Sequence, residues 1–326
     1  MDHISNFMSS KDVSTLNIGP RVWRNGELIP WNEARVHVMT HAIHYGSSVF
    51  EGIRAYKNEK GTAIFRLEEH MKRLINSAKI YRMPIKYSKE ELCKAAIETV
   101  RDSGLEACYL RPVVFRGLDE SKPTFGVNPF PNPVDTYIAV WDWGRYLGEE
   151  ALQAGVDVCV SSWTRLPSNS MPAAAKAGAN YMNSQLIKME AILNGYHEGI
   201  ALDDRGSVCE GSGENLFAIF DGTLTTPATS SSILSGITRD AVMQIAGDLG
   251  IPVKESSIQR AMLYTADEVF FTGTAAEITP IRSIDKITIG EGARGPLTKK
   301  IQDAFFEIIG GKRKAPRDQN WLTYVN

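Results

Sequence analysis

The chain has 326 residues, too many for one small core and, at ~150 residues per domain, about right for two. Its 36 basic side chains nearly cancel 38 acidic ones, leaving a formal charge of −2, which argues against an electrostatic grip on nucleic acid or a polybasic membrane anchor. Hydrophobic residues are 43% and charged residues 23%, an ordinary globular mix, and no apolar run approaches the ~20 residues that cross a bilayer.

Residues 1–20 read as a short N-terminal extension, because MDHISNFMSSKDVSTLNIG has no basic region followed by an apolar stretch. In RVWRNGELIP, Asn25-Gly26 between apolar-containing runs predicts a hairpin. SSVFEGIRAY and GTAIFR read as two more strands. In LEEHMKRLINSAKIYRM, the positions Leu67, Met71, Leu74, Ala78 and Tyr81 fall on one helical face. Ser88 with Glu91 three residues on is a capping box that opens a second helix, to about Asp102. ACYLRPVVFRG and DTYIAVWDWG read as strands, and Pro112 within the first suggests an edge strand or a local bulge. Residues 21–147 thus form a small, β-rich domain with two helices.

Residues 148–155 are a plausible connection, and 156–326 a larger domain. VDVCVSSW opens it as a buried strand, and a helix covers about Asn180 to Leu193. EGIALDDRGSVCEGSGENLFAIFDGTLTTP alternates short strands with Gly and Asp turns, as a meander does. Gly236 opens a helix that ends at Gly250. IPVKESS, DEVFFTG and KITIG are strand candidates, and PLTKKIQDAFFEIIGG is a last helix with Pro296 at its start. GKRKAPRDQ reads as a solvated basic tail before Trp321. The mix is α+β with antiparallel strands. No GxGxxG and no GxxxxGK[ST] occurs, so dinucleotide and P-loop readings lose their main support.

Cys93, Cys108, Cys159 and Cys209 form no CxxC pair, which removes zinc-knuckle and thioredoxin-like readings and leaves a reducing cytoplasm as the default. Lys176 is the first chemical candidate. Between Arg165 and Lys188 it is the only Asp, Glu, Lys or Arg, and it stands among alanines and glycines that permit close approach. Desolvation would make its amine a nucleophile; the plain alternative is a surface lysine. SGITRD places Gly236 before a helix, so the Ile237 and Thr238 amides suit a phosphate, as Thr274 and Ala275 do after DEVFFTG; an ordinary N-cap is the alternative. Arg73, on the first long helix, could pair with a phosphate or simply be solvated.

Tyr109, Arg111, Val113 and Phe115 share one strand face, and an arginine beside a phenol suits a small carboxylate with an apolar body. Arg111 could equally serve a structural ion pair. Glu210 and Glu214 frame CEGSGEN, where a carboxylate can approach a heterocycle; spacing does not choose between them. His37, His41 and His44 would align on a helix, but no HExxH and no carboxylate accompanies them, so no metal is expected.

Seven collinear segments, VHVMTHAIHYGSSVFEGIRAY, HMKRLINSAKIYRMPI, YLRPVVF, PAAAKAGANY, EGIALDDRGSVCEGSGENLF, ILSGITRD and FTGTAAEITPIRS, resemble the bacterial branched-chain amino-acid aminotransferases. These are fold-type IV (D-amino-acid aminotransferase-like) enzymes that use pyridoxal 5′-phosphate. The resemblance spans about Arg21 to Ile309. It implies a small α/β domain, a larger β-barrel-like domain with helices, and the cofactor between them. It implies Lys176 as the Schiff-base lysine and general base, Arg73, Ile237, Thr238 and Thr274 at the phosphate, and Leu234 and Gly236 as further cofactor contacts. Glu210, not Glu214, is implied at the pyridine nitrogen and Tyr181 at the phenolic oxygen. For substrate it implies Tyr109 with the Thr274 and Ala275 amides at the α-carboxylate and Arg111 at the distal carboxylate of glutamate. Phe50, Gly52, Trp143 and Tyr146 line the implied side-chain pocket, to which Tyr45 and Val127 of a neighbouring subunit contribute. The implied reaction is transamination of leucine, isoleucine or valine with 2-oxoglutarate, in a homodimer or hexamer that needs neither nucleic acid nor membrane. The same fold also hosts D-amino-acid and R-amine transaminases, the alternative specificity.

Overall fold

A computed structural model describes residues 16–144, 147–148 and 150–326. In chain order its first strands are β1 Arg21–Arg24 and β2 Glu27–Pro30. Their predicted turn forms, with Asn25 and Gly26 both at positive φ, as a tight two-residue hairpin requires. The short helix α1 His41–Tyr45 precedes β3 Ser48–Phe50, β4 Ile53–Asn58 and β5 Gly61–Phe65. Helices α2 Leu67–Ile80 and α3 Lys89–Ser103 follow, then β6 Cys108–Arg116 and β7 Val134–Trp141. The Ser88–Glu91 capping box forms in both directions.

The stretch predicted as one strand, SSVFEGIRAY, is two. β3 and β4 both pair with β6 on the same side and break at Glu51-Gly52. This also places Pro112. β6 is an interior strand, flanked by β7 on its other side, and so corrects the edge-strand expectation. Pairing with β4 ends at Leu110↔Ile53 and pairing with β3 begins at Val113↔Phe50. The missing N–H of Pro112 therefore falls in the gap, where its carbonyl accepts the Glu51 amide at 2.8 Å.

The first sheet runs β2-β1-β7-β6-β4-β5, every pair antiparallel. Leu67, Met71, Leu74 and Ala78 of α2 meet Leu92 and Val100 of α3 over Ile53, Ile64, Leu110 and Val140 in one core. That covers one sheet face. The other face of β6 carries Tyr109 and Arg111.

The second half contributes α4 Ala151–Ala154, β8 Val156–Val160, α5 Asn180–Leu193, β9 Glu198–Leu202, β10 Val208–Gly211, β11 Asn215–Phe220 and β12 Thr223–Thr226. Then come α6 Ile237–Asp248, β13 Val253–Glu255, α7 Arg260–Leu263, β14 Glu268–Gly273, β15 Glu277–Ile284, β16 Ile287–Thr288, α8 Pro296–Ile309 and β17 Leu322–Tyr324. β10-β9-β8-β15-β14-β11 closes on itself through β10–β11, a six-stranded barrel. β9–β12 form the predicted meander. The expectation of antiparallel strands alone is corrected: β8 runs parallel to both β9 and β15, and β12 parallel to β13. The α5 crossover between β8 and β9 makes this possible. Alternation along β11 divides two cores, with Leu216 and Ala218 in one and Phe217 and Ile219 in the other, against α6 and α8.

GKRKAPRDQ is a solvated tail only in part: Lys312, Lys314, Arg317 and Asp318 are exposed. Arg313 pairs with Asp248, Ala315 and Pro316 are buried, and Trp321 is 2% exposed against Phe65. β17 then pairs with β5, so the chain ends in the first sheet. Burial of an indole outweighs the few charges before it.

Candidate active site

Lys176 lies on a segment stitched to the first sheet. Its amide donates to Ser77 Oγ of α2 at 3.0 Å, and its carbonyl accepts the Phe50 amide at 3.0 Å. Ala177 forms a bridge with Val49, and Gly178 sits where a Cβ would lie 2.3 Å from Ser48 Oγ. The absence of a Cβ lets the two segments meet with the Ser48 hydroxyl in its present rotamer. The Lys176 amine is thereby aimed, part-buried, at Tyr181 on the first turn of α5, 2.7 Å from its hydroxyl. The ring of Phe50 closes the other side, 5.1 Å from the amine.

Lys176 opens into a cavity of about 290 Å³ between the two sheets. Glu210 of β10 lines an adjoining cavity that shares Lys176, Tyr181, Asn215 and Leu234 with this one. Its Oε2 accepts the Leu234 amide and Asn215 Nδ2, both at 3.1 Å, and Oε1 faces Arg165 at 3.2 Å. Burial raises its pKa; Arg165, the Leu234 amide and Lys176 pull the other way without cancelling the effect. Such a carboxyl gains from one more cationic partner. Glu214 faces the same cavity. Burial, then the neighbouring Glu198 charge, push it up to about 8.

At another wall α6 begins at Gly236, with no side-chain cap. A Cβ on Gly236 would come within 1.8 Å of Asn215 Oδ1, so only glycine allows this approach. Ile237 and Thr238 line the cavity, as do Thr274 and Ala275. An uncapped helix start of this kind favours an anion. Arg73 also lines the cavity, but it is not solvated. Its Nε and Nη2 hold Glu51 at 2.6 and 2.8 Å, and Nη1 holds the Ser235 carbonyl at 3.0 Å.

Tyr109, Arg111, Phe50, Gly52 and Trp143 converge on the same cavity. Gly52 is needed because a Cβ would lie 1.9 Å from the Tyr109 hydroxyl. Arg111 stacks on Phe50, Tyr109 and Trp141 at 4.9, 5.5 and 5.4 Å. It has no carboxylate partner among the described residues, and its Nε is buried without an acceptor. The structural ion-pair alternative for Arg111 is thus not what the chain adopts.

Tyr45 and Val127 do not line this chain's cavity. Tyr45 Oη donates to the Phe125 carbonyl at 2.9 Å, and Val127 is 76% exposed. Tyr146 lies outside the described residues. The three histidines do not share a helix face, because α1 begins only at His41. Their rings bond Met39, Ser47 and Val38 separately, and no metal-holding group of three His, Cys, Asp or Glu occurs among the described residues.

Four residues of the site escaped sequence reasoning. Glu51 holds Arg73, His70 holds Glu51, and Arg165 holds Glu210. Arg54 donates to the carbonyls of Thr274 (3.2 Å), Trp143 (3.1 Å), Gly144 (3.3 Å) and Ala275 (3.4 Å), tying the end of the first sheet to the β14–β15 turn. The signal for Glu51 and Arg54 was a double charge inside an apolar strand, FEGIR. Arg165 offered none, since nothing local shows that it is 8% exposed.

Together these groups offer an amine nucleophile, a cation-seeking carboxyl, an anion-seeking helix start and a free guanidinium on an aromatic wall. The amino-transferase class IV family profile matches residues 48–284. A branched-chain-amino-acid aminotransferase of Salmonella typhimurium is 52% identical over 306 residues, 94% of this chain and 97% of that one. The crystal structure of the Escherichia coli branched-chain amino acid aminotransferase superposes with a TM-score of 0.91 at 51% identity, covering 94% of this chain and all of the other. That of the Thermobaculum terrenum branched-chain amino acid aminotransferase in its PLP-form gives 0.87 at 38%, covering 95% of this chain and 99% of the other. By sequence and by fold, this chain belongs to the class IV aminotransferases.

Proposed function

We propose that the chain transfers the amino group of leucine, isoleucine or valine to 2-oxoglutarate, giving branched 2-oxo acids and L-glutamate, with pyridoxal 5′-phosphate as cofactor. The single observation that carries the reading is the Lys176 amine, which lines both the cavity that holds the α6 start and Arg111 and the adjoining one that holds Glu210. The residues fit the cofactor. Glu210 lacks full charge compensation, which a protonated ring nitrogen would supply. Gly236 leaves the space a phosphate needs at the helix start, with Thr274 and the Arg73 guanidinium on the same wall. Leu234 lends its amide to Glu210 and its carbonyl to Asn215, fixing the ring end.

When bound, the cofactor supplies an electron sink for the carbanion left by loss of the substrate α-proton. The chain does the rest. Lys176 Nζ takes the α-proton and returns it, as a general base held by the Tyr181 hydroxyl. Tyr109 and the Thr274 and Ala275 amides hold the α-carboxylate, with Arg54 fixing that turn from behind. Phe50, Gly52 and Trp143 receive an apolar side chain. Arg111 receives the second carboxylate of glutamate, which an apolar pocket alone would leave unpaired at a cost of several kcal/mol. One site thereby accepts both partners.

Relatives at 46–52% identity carry the branched-chain name, so D-amino-acid or R-amine specificity is not favoured. Half-reactions test this. L-leucine and L-glutamate are expected to bleach the cofactor band; bleaching by D-alanine and R-phenylethylamine alone would refute the assignment.

Three further points belong to the proposal. The domains are 21–147 and 156–326, joined by 148–155 after the extension 1–20, with β17 returning from the second to pair with β5 of the first. The active unit is a homodimer or a hexamer built from it, in which Tyr45 and Val127 complete the neighbour's pocket; their position outside this chain's own cavity supports that reading. The setting is cytoplasmic. Four unpaired cysteines are in keeping with it, as is the absence, among the described residues, of a helix long and apolar enough to cross a membrane.

A further inference from the structure

Glu214 is the carboxyl that the mechanism leaves unused. It sits in the turn between β10 and β11, whose ends place Glu210 opposite Asn215. The Gly211 amide donates to the Glu214 carbonyl, closing the turn at 2.6 Å. The side chain folds back under it, and the residue is 5% exposed. A Cβ on Gly211 would stand 2.6 Å from Glu214 Oε2 and 2.9 Å from the Phe271 ring, so the glycine makes room for this carboxyl.

Three charged groups face Glu214: Glu198 from β9, Lys188 from α5 and Arg165 from the segment after β8. Both cations favour its charged form, but burial and the Glu198 charge outweigh them. Lys188 holds Glu198 at 2.9 Å and the His197 carbonyl at 2.6 Å, and Glu198 is itself fully buried. Arg165 is engaged by Asn183, Ser184, the carbonyls of Gly211 and Ser212, and Glu210. Glu214 retains one donor, the Gly213 amide at 3.0 Å, and no ion-pair partner among the described residues. A buried carboxylate so placed costs several kcal/mol, which a bound proton removes.

We propose that Glu214 is a positioning residue that carries a proton at neutral pH, and that this neutral acid holds the β10–β11 turn in the form that presents Glu210 and Asn215 to the cofactor ring. The proton follows from the burial of the carboxyl and its single amide donor; its effect on the ring rests on the aminotransferase reading. Loss of the proton buries a charged carboxylate beside the Glu198 carboxylate, and the turn must open to hydrate it.

The test follows the protonated-carboxyl C=O stretch of the holoenzyme by infrared difference spectroscopy across pH, together with the dissociation constant of pyridoxal 5′-phosphate. The wild type is expected to show such a band at neutral pH, lost on the alkaline side, with cofactor affinity falling about tenfold per pH unit beyond that point. E214Q, neutral at every pH, is expected to lack the band and the alkaline fall. E198Q removes a neighbouring anion and is expected to move the titration downward. A wild type without the band, a band untouched by E214Q, or an alkaline fall that survives in E214Q would overturn the proposal. Should E214Q not fold, an unmoved titration in E198Q overturns it instead. A titrating band in a protein that never binds the cofactor would sink the functional reading and leave the proton in place.

Discussion

Arg73 and Glu51 form a two-point ion pair, Nε to Oε1 at 2.6 Å and Nη2 to Oε2 at 2.8 Å, with the carboxylate fully buried. His70 Nδ1 adds a third contact to Glu51 Oε2 at 2.7 Å. The guanidinium that faces the proposed phosphate is therefore fixed before any ligand arrives, and its charge is already balanced. The net attraction for a phosphate then rests on the α6 start as much as on Arg73.

This pair sets an acid limit on stability. Burial raises the Glu51 pKa, but Arg73 and His70 outweigh burial and hold it at about 2, against an ordinary 4.5. A depressed carboxyl contributes stability above its unfolded pKa and loses it as pH falls. About 3 kcal/mol is expected to disappear between roughly pH 4.5 and pH 2. E51Q, which leaves Arg73 unpaired, is expected to cost about 3–5 kcal/mol at pH 7 and to flatten this acid slope. Urea unfolding across pH reads both.

Lys176→Ala is expected to lower turnover by about 10³-fold or more, because nucleophile and base are lost together. It is also expected to abolish the borohydride-trappable cofactor link. Circular dichroism and the unfolding midpoint should stay near wild type, since the segment is held by its backbone bonds to Ser77 and Phe50.

Arg111→Gln separates the two substrates. Glutamate should lose about 2–4 kcal/mol of recognition, roughly 30- to 1000-fold in kcat/KM, while leucine changes by less than about fivefold. Single-turnover half-reactions with each amino acid measure the split. An equal loss for both would place Arg111 in the scaffold.

Trp321→Ala is expected to destabilise the protein by about 3–5 kcal/mol. The indole stands edge-on to Phe65 at 5.8 Å, and the Trp321 carbonyl accepts the Arg66 amide at 2.7 Å. Thermal unfolding checks this, and cofactor affinity should be little changed, because Trp321 does not line the cavity.

Local patterns determined much of this protein. The Asn25-Gly26 turn, the α2 face, the Ser88 cap, and the α5, α6 and α8 helices follow from periods and caps that act within a few residues. Lys176, Gly236, Arg111 and the pair Glu210 and Glu214 were legible as candidates because unusual residues stood in small or apolar surroundings; the choice of Glu210 came from the resemblance. Tertiary structure decided the rest, because charge compensation and strand neighbours depend on residues far apart in sequence. Only folding brings Arg73 to Glu51, leaves Arg111 without a carboxylate, commits Lys188 to Glu198, splits SSVFEGIRAY at Glu51-Gly52 to face Pro112, and returns Trp321 to the first sheet.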